Sequence, residues 1–173
     1  MIIYFQMKHI VKQNPDYSDY NIENEKSNLK KFSDENGLYI PDKFYDNIRQ
    51  GDVIDIYTAP PEFKQLYGNS QFKSLCSYTE KQMAEIPFPK LFYRTDDVQL
   101  ALLKTMTDVV LNSDTAVKYN FAHHDLVESL NPNKRTFEID LGWIAPCFRK
   151  GSNERIAFVN SLKVEFIFEW VET

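Results

Sequence analysis

The pattern of apolar residues after residue 52 constrains the fold of this 173-residue chain more than any other feature. From residue 97 to 111, apolar side chains recur at helical spacing and form one face of a long helix. Several short helical segments precede it. Five β-rich runs complete the pattern, at 53–57, 63–67, 116–121, 136–148 and 156–168. This order predicts an α+β fold, with a five-stranded antiparallel sheet and the short helices and the long helix packed on one face.

The first 51 residues are more polar and less regular than the rest of the chain. Residues 22–32 allow a helix with a charged outer face, and Pro41 begins a second short helix that ends at Gly51. We therefore predict two parts. Residues 1–51 form an irregular and helical N-terminal extension, and residues 52–173 form the domain.

Composition and charge exclude several classes of function. Five widely spaced glycines build neither a G-x-G-x-x-G nor a G-x-x-x-x-G-K phosphate loop, which argues against Rossmann and P-loop nucleotide enzymes. A net charge of −5 argues against direct nucleic-acid binding. The apolar runs are far shorter than the roughly 18 residues that span a bilayer, so we expect no membrane association. Two cysteines make no disulfide framework, and we expect a cytoplasmic protein.

One segment resembles a known family. Residues 67–83 have the sequence YGNSQFKSLCSYTEKQM. This resembles the N-x-x-F-x-x-L-x-x-Y-[ST]-x-x-x-[LM] stretch that follows the second strand of the PAS sensor-domain family. Asp96-Asp97 is similar to the acidic pair before the family's long helix, although Tyr93-Arg94-Thr95 replaces the usual His-Pro. The family's D-G hairpin is also replaced, here by residues 131–134. The resemblance covers about residues 52–170.

The resemblance implies a function and a ligand site. PAS domains are sensory or regulatory domains that bind a small ligand or a partner and signal to an attached or associated output, in signal transduction or transcription regulation. Aromatic residues make up 14% of this chain, and most of them are expected to fill the core. The subset expected to line a cavity between sheet and helices is Tyr57, Tyr67, Phe72, Tyr78, Phe92, Tyr119 and Trp143.

The resemblance also bears on partners and cofactors. Residues 22–32 are a candidate dimerisation or cover element, as flanking helices are in that family. We therefore expect a homodimer or an attached signalling domain as partner, besides a small molecule. No cofactor is assigned, because the flavin cysteine motif of light-sensing members and a suitably placed axial histidine are both missing.

The sequence predicts no catalytic residue and no metal site, and we expect no enzyme. His123 and His124 are neighbours in a strand, so their side chains point to opposite faces and do not easily bind one metal. Cys76 and Cys147 have no activating histidine in a recognisable motif. A G-x-S-x-G nucleophile elbow is also missing.

Two alternatives stay open. Residues 37–45, GLYIPDKFY, are similar to the opening of the SUKH immunity-protein family, whose members bind toxins. That similarity implies a stand-alone protein-binding module without a ligand, with a fully packed interior and an exposed apolar patch. The other alternative is an enzyme that uses the same pocket. It requires titratable side chains that converge there with perturbed pKa values.

Overall fold

The computed structural model describes residues 8–121 and 123–172. In these residues nine strands form one antiparallel sheet, and six helices accompany it. The strands are β1 (Lys8–Gln13), β2 (Leu38–Tyr39), β3 (Val53–Thr58), β4 (Gln65–Gly68), β5 (Phe92–Tyr93), β6 (Val117–Lys118), β7 (His124–Glu128), β8 (Thr136–Arg149) and β9 (Arg155–Glu172). The helices are α1 (Ile22–Glu35), α2 (Asp42–Asp46), α3 (Ser70–Leu75), α4 (Glu80–Glu85), α5 (Phe88–Leu91) and α6 (Asp96–Asn112).

The two longest strands, β8 and β9, organise the sheet. Its main path runs β4-β3-β9-β8-β7-β5, while β1 pairs with the far half of β9, and β2 and β6 pair with β8. The β8–β9 register shifts at three places, and such irregularities bend a strand and increase its twist. Gly142 lies at one of them, where an added Cβ would lie 2.5 Å from Ser161 Oγ. The sheet is therefore curled around one of its faces.

Side chains alternate along β3 and divide the core into two clusters. Val53 and Tyr57 belong to a large cluster with α3, α4, α5 and α6. Ile54 and Ile56 belong to a second cluster with Leu29 of α1, on the other face of the sheet. Helices therefore cover both faces of β3. In the described part of the chain, no helix is both long and apolar enough to cross a membrane.

The predicted sheet and helix arrangement is wrong. The sheet has nine strands rather than five, and six helices lie on both of its faces. The strands beyond the predicted five are β1, β2, β5 and β7. They escape a pattern search because β2 and β5 are two residues long, β1 is largely exposed, and β7 begins with the polar residues His124 and Asp125. The pairing partners of β1, β2 and β5 lie far away in sequence, and this long-range pairing decides their structure. The division into 1–51 and 52–173 stays a prediction.

Candidate functional site

A cavity of about 60 Å³ lies between the sheet and helices α3, α5 and α6. Apart from Cys76, which is half-buried, the residues that line it are buried. Most of the lining is apolar: Val53, Phe72, Leu75, Phe88, Phe92, Met106, Leu126, Phe137, Leu141, Leu162 and Val164. A cavity of about 150 Å³ holds benzene, so this one has room for about two or three non-hydrogen atoms.

Three polar side chains, Asp55, Arg94 and Asn160, also line the cavity, together with Tyr57. Asp55 and Asn160 are direct cross-strand partners on β3 and β9. Asn160 Nδ2 donates a short hydrogen bond to Asp55 Oδ1, and its Oδ1 accepts one from Tyr119 Oη at 2.7 Å. The Tyr57 side chain also hydrogen-bonds to Asp55. Asp55, Asn160 and the two tyrosines therefore form a continuous buried hydrogen-bond network.

Arg94 is the cation of this site. It directly follows β5, which pairs with β7, and this pairing brings it beside His124 at the start of β7. Arg94 is 6% exposed, and its Nε donates a hydrogen bond to His124 Nε2 at 3.0 Å. Its Nη1 has no hydrogen-bond partner among the described residues. A buried donor left in this state costs about 1–3 kcal/mol, and more when it is charged.

Two other buried charges in the described residues are better paired. Glu128 accepts hydrogen bonds from Ser77 and Asn131, and Asp52 pairs with Arg49 at 3.0 Å. Some buried polar atoms elsewhere also lack a partner, among them Glu25 Oε2, but of these described side chains Arg94 is the one that lines the cavity. A mostly apolar cavity is therefore bordered by a guanidinium group that has an unpartnered N–H donor.

Burial perturbs both charged groups. Loss of solvation raises the pKa of Asp55 to about 7, against the opposing effects of its hydrogen bonds from Asn160 and Tyr57 and of the Arg94 charge. Loss of solvation lowers the pKa of Arg94 to about 10, which the nearby Tyr57, Tyr119 and Asp55 oppose. Near neutral pH Arg94 is therefore charged, while Asp55 is close to the midpoint of its titration.

The structure brings together part of the predicted ligand set. Tyr57, Phe72 and Phe92 line the cavity, and Tyr119 contacts it through Asn160. Tyr78 packs on the ring of Phe92 at a centroid distance of 5.4 Å, and its hydroxyl donates to Leu91 O.

Two predicted residues lie elsewhere. Tyr67 and Trp143 pack against the second cluster on the opposite face of the sheet, where Tyr67 contacts Phe32 at a centroid distance of 4.8 Å. The Lys43 ammonium lies 5.3 Å from the Trp143 ring. The assignment of all seven residues to a ligand site stays a prediction, and these two positions give it no geometric support.

The polar residues of the cavity were missed at the sequence level, although a signal exists. Asp55 interrupts the apolar run 53–57, and Asn160 interrupts the apolar run 156–162. A polar residue inside a buried strand needs a partner or a function. Arg94 falls where the PAS resemblance fails, since it stands in place of the His-Pro pair.

The described residues offer few groups suited to metal binding or thiol catalysis. They contain no group of three or more His, Cys, Asp or Glu side chains that could hold a metal ion. His123 contacts Glu138 at 2.7 Å, while His124 contacts Arg94. Burial raises the pKa of Cys76 to about 12 and also raises that of Cys147, so both thiols are protonated near neutral pH and are poor nucleophiles.

Comparison with known families and curated proteins does not assign the chain to a family. No protein-family model matches the chain, and no curated protein matches it either. The geometry of the cavity is therefore the main guide to function.

Proposed function

We propose that this chain is a sensory or regulatory domain that binds a small molecule in the cavity beside Arg94 and Asp55. The observation that carries the proposal is a mostly apolar cavity lined by Arg94, whose Nη1 has no hydrogen-bond partner among the described residues. Apolar lining with a few convergent polar groups is typical of ligand sites. A ligand that accepts a hydrogen bond from Arg94 would offset the cost of burying that group.

The resemblance to PAS domains is part of this proposal. The segment that carries it, residues 67–83, includes Asn69, which caps α3, and Phe72 and Leu75, which line the cavity. A ligand would therefore contact the motif itself. The two free thiols suit a reducing compartment, and a cytoplasmic location belongs to the same proposal.

Strand β3 offers a route for a signal. Asp55 and Tyr57 face the cavity, whereas Ile54 and Ile56 pack in the cluster that contains Leu29 of α1. Ligand binding that favours one position of β3 would change the packing of α1 and shift the population of states. An attached signalling domain, or a second copy that docks on α1, would then respond.

A ligand screen by thermal shift and amide NMR tests the proposal. We expect compounds of a few heavy atoms to raise the melting temperature and to move the amide resonances of residues around the cavity. Leu75→Phe, which adds volume at the cavity, should reduce the response. Leu100→Phe is the matched control, because Leu100 is 72% exposed on α6. A chain that responds to no compound, or a Leu75→Phe variant that responds like the native chain, would overturn the proposal.

An enzyme is a second candidate, because titratable groups do converge in the cavity. Asp55, with a pKa raised by burial to about 7, is placed as a general base, and Arg94 could stabilise a developing negative charge. The same NMR samples separate the two functions. A regulatory ligand is recovered unchanged after days with the protein, whereas turnover would give new ligand resonances that Asp55→Asn abolishes.

The alternative of a stand-alone protein-binding module, based on the similarity to SUKH proteins, fits the structure less well. Such a module is expected to have a fully packed interior, whereas Arg94 and Asp55 border a cavity. Exposed apolar residues are present, among them the cross-strand pair Ile10 and Trp170. These two residues line a groove that also contains Phe168 and the charged side chains of Asp125, Lys134 and Glu169.

A further inference from the structure

We infer that the cavity takes a very small monocarboxylate, formate or at most acetate, with its carboxylate on Arg94 and its hydrogen or methyl group among the apolar side chains. This inference rests on the proposed function and names the class of ligand for the same site. It follows from the charge, the shape and the size of the cavity.

Charge selects an anion. Arg94 is buried, and it forms no ion pair within 4.0 Å with a carboxylate among the described residues. A buried charge without such compensation is costly, so a ligand that supplies a negative charge gains more there than a neutral one. An ammonium ligand would meet a like charge. The guanidinium fork and a carboxylate are matched in geometry, and hydrogen bonds between them are among the strongest in proteins.

The remaining surface selects an apolar end. Apolar side chains make up most of the lining and come from β3, β5, β7, β8, β9 and the helices. Inorganic sulfate or phosphate is hydrated on every side and would lose that hydration against them without compensation. A monocarboxylate places its charge at one end, so the other end can lie among Leu126, Phe137 and Val164. The volume of about 60 Å³ limits this end to a hydrogen or at most one methyl group beyond the carboxylate.

Asp55 adds a dependence on pH. The groups that face it are Tyr57 on its own strand, Asn160 on β9, and Arg94 after β5; Tyr119 acts through Asn160 and His124 through Arg94. A carboxylate bound beside Asp55 repels its negative form, so binding favours the protonated acid. Because burial raises the pKa of Asp55 to about 7, this proton is present at pH 6 and mostly absent at pH 8. Binding should therefore be about tenfold tighter at pH 6 than at pH 8.

The test uses the full chain and matched probes. Formate, acetate, propionate, formamide and methylammonium are titrated at pH 6 and pH 8, with amide NMR to locate the site and to measure dissociation constants. We expect formate to bind, with the tenfold preference for pH 6, and propionate to bind more weakly because it exceeds the cavity. Formamide has the shape of formate without the charge, and it should bind at least tenfold more weakly than formate and with no pH dependence. Methylammonium should not bind.

Three variants separate the roles of the residues. Arg94→Met should lose formate binding at least tenfold, while Arg94→Lys keeps the charge and should lose less. Asp55→Asn should keep formate binding and lose its pH dependence. Arg155→Met is a control, because Arg155 pairs with Asp114 outside the cavity. If Arg94→Met does not fold, Arg94→Lys and the contrast between acid and amide in the native chain still decide the question.

The outcomes distinguish this inference from the proposed function. Binding of formamide as tightly as formate, or formate binding that Arg94→Lys leaves unchanged, would overturn the carboxylate inference and leave a small-molecule site in place. If neither these probes nor the compounds of the ligand screen perturb the residues that line the cavity, both are overturned.

Discussion

Asn69 shows how much of this fold depends on single polar side chains. It is 2% exposed, and its Oδ1 accepts hydrogen bonds from the backbone N–H groups of Ile54 at 3.1 Å and Phe72 at 3.0 Å. Its Nδ2 donates to the carbonyl of Asp52 at 3.0 Å. One side chain therefore caps α3 and holds that helix against the start of β3. Cavity residues from both elements depend on this junction.

We predict that Asn69→Leu lowers the free energy of unfolding by about 3 kcal/mol, because it leaves two buried N–H groups and a carbonyl without partners. Urea denaturation measures this. Asn21→Leu is the matched control: Asn21 caps α1 through one exposed contact, from the Asn24 backbone N–H at 3.0 Å, so its loss should cost only about 1 kcal/mol. Equal losses in the two variants would mean that the buried contacts of Asn69 contribute nothing beyond capping.

Asp55 makes the stability of the protein depend on pH. Its pKa is raised in the folded protein from an ordinary value of 3.8 to about 7. Between these values the folded state binds a proton that the unfolded state has lost, so stability falls as pH rises from about 4 to 7. The contribution is fully present below the unfolded value and is lost above pH 7. Over the whole interval it amounts to about 4 kcal/mol.

We predict that Asp55→Asn, which resembles the protonated acid, removes this fall. The native chain should lose about 2 kcal/mol relative to the variant between pH 5 and pH 7, measured by urea denaturation at each pH. Asp125→Asn is the control, because Asp125 is exposed on β7 and its replacement should leave the native pH profile intact. Parallel pH profiles for the native chain and Asp55→Asn would contradict the assignment.

At the scale of elements, sequence patterns identified those that carry their own local signal. The apolar periodicity placed a helix at 97–111, and α6 spans Asp96–Asn112. Thr79 and Gln82 form a capping box at the start of α4, and its T-x-x-Q pattern is local in the sequence. The run 116–121 predicts a full strand, but only β6 forms there, because its pairing with β8 ends after Lys118. The apolar pattern does not predict the neighbouring strand β7.

The candidate site was predictable only in part, for a related reason. Aromatic content pointed to Tyr57, Phe72 and Phe92, which line the cavity, because aromatic residues on buried elements tend to meet in the core. Tyr67 and Trp143 are aromatic as well, but they lie on the opposite face of the sheet. The face is decided by strand register, which depends on pairing far along the chain. The position of Arg94 at the cavity likewise depends on the β5–β7 pairing, which no local sequence pattern predicts.

At the scale of the whole molecule, the sheet joins segments from both ends of the sequence. Leu29 of α1 is fully buried in the second cluster, where Ile54 of β3 and Val159 of β9 also lie. The same two strands carry Asp55 and Asn160 on the cavity side. Residues before 51 therefore share packing with the strands that support the site. We expect the described part of the chain to unfold as one cooperative unit.

We predict that Leu29→Ala lowers the free energy of unfolding by about 3 kcal/mol through the cavity it creates, and keeps a single transition. Tyrosine and tryptophan fluorescence and far-UV circular dichroism, followed together in urea, should give coincident curves at a lower midpoint. Asn28→Ala, on the exposed side of α1, should change the midpoint little. Two separate transitions, with the second unchanged by Leu29→Ala, would instead show that residues 1–51 are an independent extension. In that case ligand binding in the cavity could not be transmitted through β3 to α1. Two segments that unfold independently do not share the packing through which a population shift passes from one to the other.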